Sequence, residues 1–146
     1  NQDAAWPLIG PSKGEEVGIA KFNHTGTHPV ATDLTIEDSI EHYKLIGPAR
    51  KQARLKYLQQ YWTSQVRNVP GIVVNTPADP KRHGAIANVG VTKLKPAELA
   101  KQLFETYQIY TVAIDGNGVH GCRITPNVFT STKDLDQLVL ALKELA

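Results

Sequence analysis

The chain has a single cysteine, Cys122, among 146 residues. An internal disulfide and a four-cysteine metal site within one chain are thereby excluded, and the composition fits a reducing, cytoplasmic setting. No apolar run reaches the roughly 20 residues of a membrane-spanning helix, and no signal peptide is visible. An excess of one charge is also lacking: 16 Lys and Arg stand against 14 Asp and Glu, a formal net charge of +2. That is too little to argue for nucleic acid, and the basic residues are spread along helical patterns without a cluster or interleaved aromatics. No methionine opens the chain, and the start, "NQDAAWPLIGP", suggests processing or a cut from something longer. What is present is a mixed-charge chain with 41% hydrophobic residues. That suffices for one globular domain with a real core and is too short for two full ones.

The residues up to about Pro29 are rich in Gly and Pro and lack periodicity, a long lead-in for a compact domain. Thr35 then reads as a helix cap, with Thr35-x-x-Asp38 at capping-box spacing and Ile36, Ile40, Tyr43 and Leu45/Ile46 as an apolar stripe. Gly47-Pro48 ends that helix and opens a second, to about Val66, with Ala53, Leu55, Leu58, Tyr61, Trp62 and Val66 inward. Arg50, Lys51, Arg54 and Lys56 are expected on its wet face. After "VPG" the period changes: "IVVNT" and "AIANVGV" read as strands joined by a polar turn. Pro96 starts "PAELAKQLFETY", with Leu99, Leu103 and Phe104 inward. "IYTVAI" and "GVHGCRIT" are two further strands joined by "DGNG". The last helix follows Thr132, with Leu135, Leu138, Val139 and Leu142 as its stripe. The order predicts an α+β fold: two N-terminal helices, then a small, mainly antiparallel sheet with helices packed on one face.

Three features bear on chemistry. His24 and His28, with His42 or His83, have the residue types of a zinc site. Their i, i+4 spacing falls in a loop containing Gly and Pro, with no acidic ligand near, so surface or hydrogen-bonded histidines are the better reading and no metal is expected. "TGT" (Thr25 to Thr27) lacks the Lys and repeated Gly of a Walker loop, and "DGNGVHG" has no following helix, so neither is a nucleotide fingerprint. Arg123 sits among apolar strand residues, and alternation puts Cys122 and Arg123 on opposite faces. Such an arginine either pairs with a structural carboxylate, the reading that spacing alone favours, or offers its fork to a ligand carboxylate.

In order, "HTGTHPVATDLTIEDSIEHYKLIGPARKQARLKYLQQYW" and "HGCRITPNVFTSTKDLDQLVLAL" resemble the C-terminal part of class V aminotransferase-fold enzymes, which depend on pyridoxal phosphate. The isopenicillin-N-epimerase-like and cysteine-desulfurase-like branch is the most similar. The final segment matches at Phe129, Ser131 and Leu135, with Asp134 where an acid is common. The resemblance implies that residues 1–32 form a lead-in and inter-domain or dimer loop, and residues 33–146 the small C-terminal domain. It implies that Thr27, with Gly26, contacts the cofactor phosphate of the partner subunit in a homodimer. Arg123 matches the arginine that holds the substrate's α-carboxylate.

The family's imine-forming lysine, the acid beside the pyridine nitrogen and the ring-stacking residue belong to a large N-terminal domain. No lysine here sits in a matching motif, so the chain is expected to be a fragment, inactive alone, of an enzyme acting on an amino acid. Desulfurases carry a nucleophilic cysteine before the arginine strand. "AIDGNGVHG" has none, and Cys122 reads as structural, which disfavours desulfuration and leaves transamination, epimerisation or another lyase reaction. His28-Pro29 also departs from the desulfurase pattern, and the roles of His24, His28 and His120 stay open. The rival class is a non-catalytic, amino-acid-binding regulatory α+β module, which would explain the sheet and Arg123 but not the lead-in or the first two helices.

Overall fold

The computed structural model describes residues 30–146. It divides into two compact units between Leu45 and Ile46.

In the first unit a short helix, α1 (Val30–Leu34), runs into α2 (Ile36–Ile46). Thr35 lies between them and does not act as the expected cap. Its N–H donates to Ala31 O, and its hydroxyl turns back to Thr32 O at 2.9 Å. The physical reason is that helix already precedes it, so the backbone partner a cap needs is spent and the hydroxyl back-bonds within the turn. The stripe of Ile36, Ile40 and Tyr43 is present, but no residue of α2 is buried. Periodicity fixes which face is apolar; it does not supply a surface to cover that face.

Near the start of the second unit Gly47, with a φ of 87° that is open to glycine, leads into α3 (Pro48–Val66), whose first residue is the expected proline. Leu58, Trp62 and Val66 are fully buried along one side. Ala53, expected inward, is exposed, because the first turns of α3 extend beyond the core. The basic run departs from expectation too. Arg54 is half-buried over the Tyr57 ring and donates to Thr130 O at 3.0 Å, and Lys56 Nζ reaches Pro80 O at 3.0 Å. Their apolar stems lie along the protein while the charged ends find carbonyls, which charge patterning alone does not reveal.

Strands β1 (Ile72–Val74), β2 (Ala87–Val91), β3 (Val112–Gly116) and β4 (Val119–Ile124) form one antiparallel sheet in the order β1-β2-β4-β3. Between β2 and β3 lies α4 (Pro96–Tyr107), and α5 (Thr132–Glu144) ends the fold. The fold is α+β, as expected. On one face of the sheet Ala87, Val89 and Val91 of β2 and Cys122 and Ile124 of β4 are buried. They meet Leu99 and Leu103 of α4, while Leu135, Leu138, Val139 and Leu142 of α5 extend the same core toward α3. Phe104, expected inward, is 52% exposed and stands edge-on to Tyr110 at 6.2 Å. It follows Leu103 by one position, about 100° around the helix, and so falls off the buried stripe.

Candidate functional site

β3 and β4 are joined by a tight hairpin. Gly116 pairs with Val119, so the turn is Asn117-Gly118, with φ of 51° and 76°. Positive φ at both positions defines the turn type that matches the twist of antiparallel strands, and Asn-Gly is the pair that tolerates it best. This turn fixes the register of β4 and hence the facing of each side chain. Cys122 and Ile124 point into the core, and Arg123, between them, is exposed on the opposite face. In the ladder Arg123 lies across from Val112 of β3 on one side and Asn88 of β2 on the other.

Among the described residues the Arg123 guanidinium forms neither an ion pair nor a hydrogen bond. The internal carboxylate that spacing alone favoured is therefore not present in this part of the chain. Around the arginine the backbone is close-set. A Cβ on Gly121 would stand 2.4 Å from Val89 O and 2.6 Å from Asn88 Oδ1, and a Cβ on Gly90 would stand 2.7 Å from His120 O. Only glycine lets β2 and β4 approach so nearly here.

The Asn88 side chain occupies the room that Gly121 leaves. Asn75 Nδ2 donates to Asn88 Oδ1 at 2.7 Å and to His120 O at 3.0 Å, tying β4 to the residue that follows β1. A second link runs from Asn88 N–H to Thr76 Oγ1 at 2.9 Å. Asn88 Nδ2 is buried and has no partner. Beside this cluster a cavity of 260 Å³ is lined in part by Val73, Asn75, Gly90, Leu99, His120 and Gly121. Sequence patterning missed Asn88. The signal that finds it is register, and register between β2 and β4 depends on a pairing that spans α4 and β3.

Cys122 is fully buried, with Sγ 3.5 Å from Pro96 O. Burial pushes its pKa above the ordinary thiol value, against a smaller opposing pull from Thr111. A thiol closed off and kept protonated is a packing residue and not a nucleophile. His120 stands next to the Asp115 carboxylate, its cross-strand neighbour, and both side chains are largely exposed. His83 Nδ1 lies 3.0 Å from Gly84 O, and His42 is exposed on α2. Among the described residues no three His, Cys, Asp or Glu side chains are grouped to hold a metal ion. His24, Gly26, Thr27 and His28 lie outside the described residues.

The segment after β4 has a structural logic of its own. Ser131 caps α5: its hydroxyl accepts from Asp134 N–H, and the Asp134 carboxylate accepts from Ser131 N–H at 2.9 Å. The backbone hydrogen bond first, and the Ser131 hydroxyl second, hold the Asp134 carboxyl below its usual pKa. Asp134 is thus a capping acid, and Leu135 beside it enters the core. Phe129, by contrast, is 83% exposed.

Arg123 is thus an outward residue on an inner strand of a small antiparallel sheet, and a capped final helix follows it. The chain belongs to the class V aminotransferase family, whose model, "Aminotransferase class-V", matches residues 16–136. It is similar to isopenicillin N epimerase of Streptomyces clavuligerus, with 26% identity over 136 residues. That match covers 90% of this chain and 33% of the epimerase, so the chain spans about a third of that relative's length. No helix among the described residues is long and apolar enough to cross a membrane.

Proposed function

We propose that the chain works as the C-terminal part of a pyridoxal-phosphate-dependent enzyme acting on an amino acid, as an aminotransferase, epimerase or lyase. Residues 33–146 serve as its small domain and residues 1–32 as the lead-in and dimer loop. The observation that carries this reading is Arg123: exposed, free of partners among the described residues, and held on a rigid strand within the family match. Its planar fork suits a carboxylate, and gripping the α-carboxylate at two points fixes which bond at the α-carbon is aligned for reaction.

Pyridoxal phosphate, when bound, supplies the sink for electrons released at that carbon. The described residues fit the carboxylate end of such a site. Every described lysine is exposed or half-buried, and none is enclosed as an imine-forming amine needs to be. Gly26 and Thr27 are the residues proposed to hold the phosphate of the partner subunit's cofactor, through backbone N–H and hydroxyl donors. Thr27→Ala is expected to weaken cofactor retention by about 1–2 kcal/mol, the worth of one charge-assisted hydrogen bond.

The test is made in the homodimeric enzyme that contains this chain. There Arg123→Ala should lower kcat/KM by about 100-fold or more, and Arg123→Lys should recover only part, because a point charge does not reproduce the fork. Unchanged kinetics in both variants would remove Arg123 from the site. Amino-acid binding without turnover by the full gene product would favour the regulatory module instead.

A further inference from the structure

We propose that Asn88 is a second carboxylate-binding residue, completing with Arg123 a cradle in which the Asn88 amide donates to a carboxylate oxygen held by the guanidinium. This rests on the reading of Arg123 as a carboxylate site.

The inference follows from which end of each amide must face which way. His120 O is a backbone carbonyl and only accepts, so the Asn75 group 3.0 Å from it is Nδ2. The same Nδ2 lies 2.7 Å from Asn88, so the Asn88 atom facing it is the acceptor, Oδ1. The remaining atom of Asn88, Nδ2, is then a donor by necessity. It is buried and unpaired. A buried donor without an acceptor is costly, and folded chains seldom leave one unused.

Register supplies the location. Asn88 is the direct cross-strand partner of Arg123, so the two side chains leave the sheet on the same face as nearest neighbours. The acceptor that would satisfy both is one they share. A carboxylate has about four lone-pair sites; the arginine fork occupies two, and a third remains for an amide N–H. Chloride, a single spherical acceptor, lacks the two-oxygen match to the arginine fork and holds these donors less well. Asn88 Nδ2 is closed to solvent, so its donation to a carboxylate requires a local side-chain shift. Asn75 does not touch the ligand; it is a positioning residue that holds the amide of Asn88 in its donating sense.

The experiment titrates the isotopically labelled chain with sodium acetate against sodium chloride at constant ionic strength. Side-chain resonances of Arg123 and of Asn88 Nδ2 are followed by NMR. The expected result is that both move with one dissociation constant under acetate and neither moves under chloride. Asn88→Ala should weaken acetate binding three- to tenfold, and Asn88→Asp should abolish it by placing a negative charge in the cradle. Asn75→Ala should leave Arg123 responsive but weaken binding by a smaller factor. Movement of Arg123 with a stationary Asn88 overturns the cradle and leaves the arginine reading standing. Stationary resonances for both residues overturn the two together. The co-titration of the unmodified chain decides the matter even if a variant fails to fold.

Discussion

Gly121→Ala is the substitution by which the packing behind Arg123 can be measured. The added Cβ would lie 2.4 Å from Val89 O, 2.6 Å from Val89 C and 2.6 Å from Asn88 Oδ1. Two of the three obstacles are backbone atoms of the neighbouring strand, which cannot rotate aside as a flexible side-chain tip would. Relief therefore requires β2 and β4 to part where Val89 pairs with Cys122, and both of those residues are fully buried. Overpacking of this kind costs about 1–3 kcal/mol, and a backbone obstacle places it toward the upper end. For a folded unit of about a hundred residues that is a fall in Tm of roughly 10 °C. The control is Gly116→Ala, where no atom lies within 4 Å of the new Cβ. It should stay within about 0.5 kcal/mol of the parent. Thermal melts and urea titrations of both variants give the comparison, with the urea slope expected to hold constant. Equal stability of the two alanine variants would refute the close approach of β2 and β4 on which the arginine site depends.

Four further outcomes are expected. Arg123→Ala in the chain itself should change stability by less than about 0.5 kcal/mol, since an exposed side chain without partners is lost; a clear drop in the melt would restore the structural reading. Leu103→Ala should cost about 2–5 kcal/mol, because this fully buried side chain joins α4 to the core; a loss under 1 kcal/mol in urea would contradict that placement. The lowered pKa of Asp134 means its cap stabilises fully above the unfolded carboxylate value near 3.9 and is lost as pH falls through the folded value. Asp134→Asn should therefore narrow the stability gap between neutral and acidic pH, and an unaltered pH profile would count against the cap. Cys122 should react with an aromatic disulfide reagent no faster than the chain unfolds, given its burial and raised pKa; immediate labelling of native protein would show the thiol to be open.

Legibility in the sequence followed the range of the interactions involved. The helices at Pro48–Val66 and Pro96–Tyr107 were readable to the residue at one or both ends, and the start of Thr132–Glu144 to within one residue. Proline at a first turn and a 3.6-residue period both act within a few positions. Alternation on "GVHGCRIT" likewise put Cys122 and Arg123 on opposite faces, as observed. What patterning misjudged was each side chain whose environment comes from a distant segment. Arg54 finds Thr130 O and Lys56 finds Pro80 O, while Phe104 was misplaced for a local reason, its angle on the helix beside Leu103. Thr35 erred for the opposite reason: its local cap signal was genuine, but helix already preceded it. The pairing of Asn88 with Arg123 was out of reach for the same reason as Arg54 and Lys56, since no local rule selects strand four as the partner of strand two.

The strand order β1-β2-β4-β3 also has a consequence in time. The β3–β4 hairpin closes through a two-residue turn, an event of microseconds, whereas β2 meets β4 only by a long-range pairing across the intervening α4 and β3. Arg123 is thus in place on its hairpin early, while Asn88 arrives with the slow, long-range step. A partly folded chain presents the guanidinium without its cross-strand neighbour, so the proposed two-residue hold on a carboxylate would be a property of the finished sheet. On that proposal, ligand affinity would report completion of folding, and a chain caught midway would compete poorly for the same small molecules.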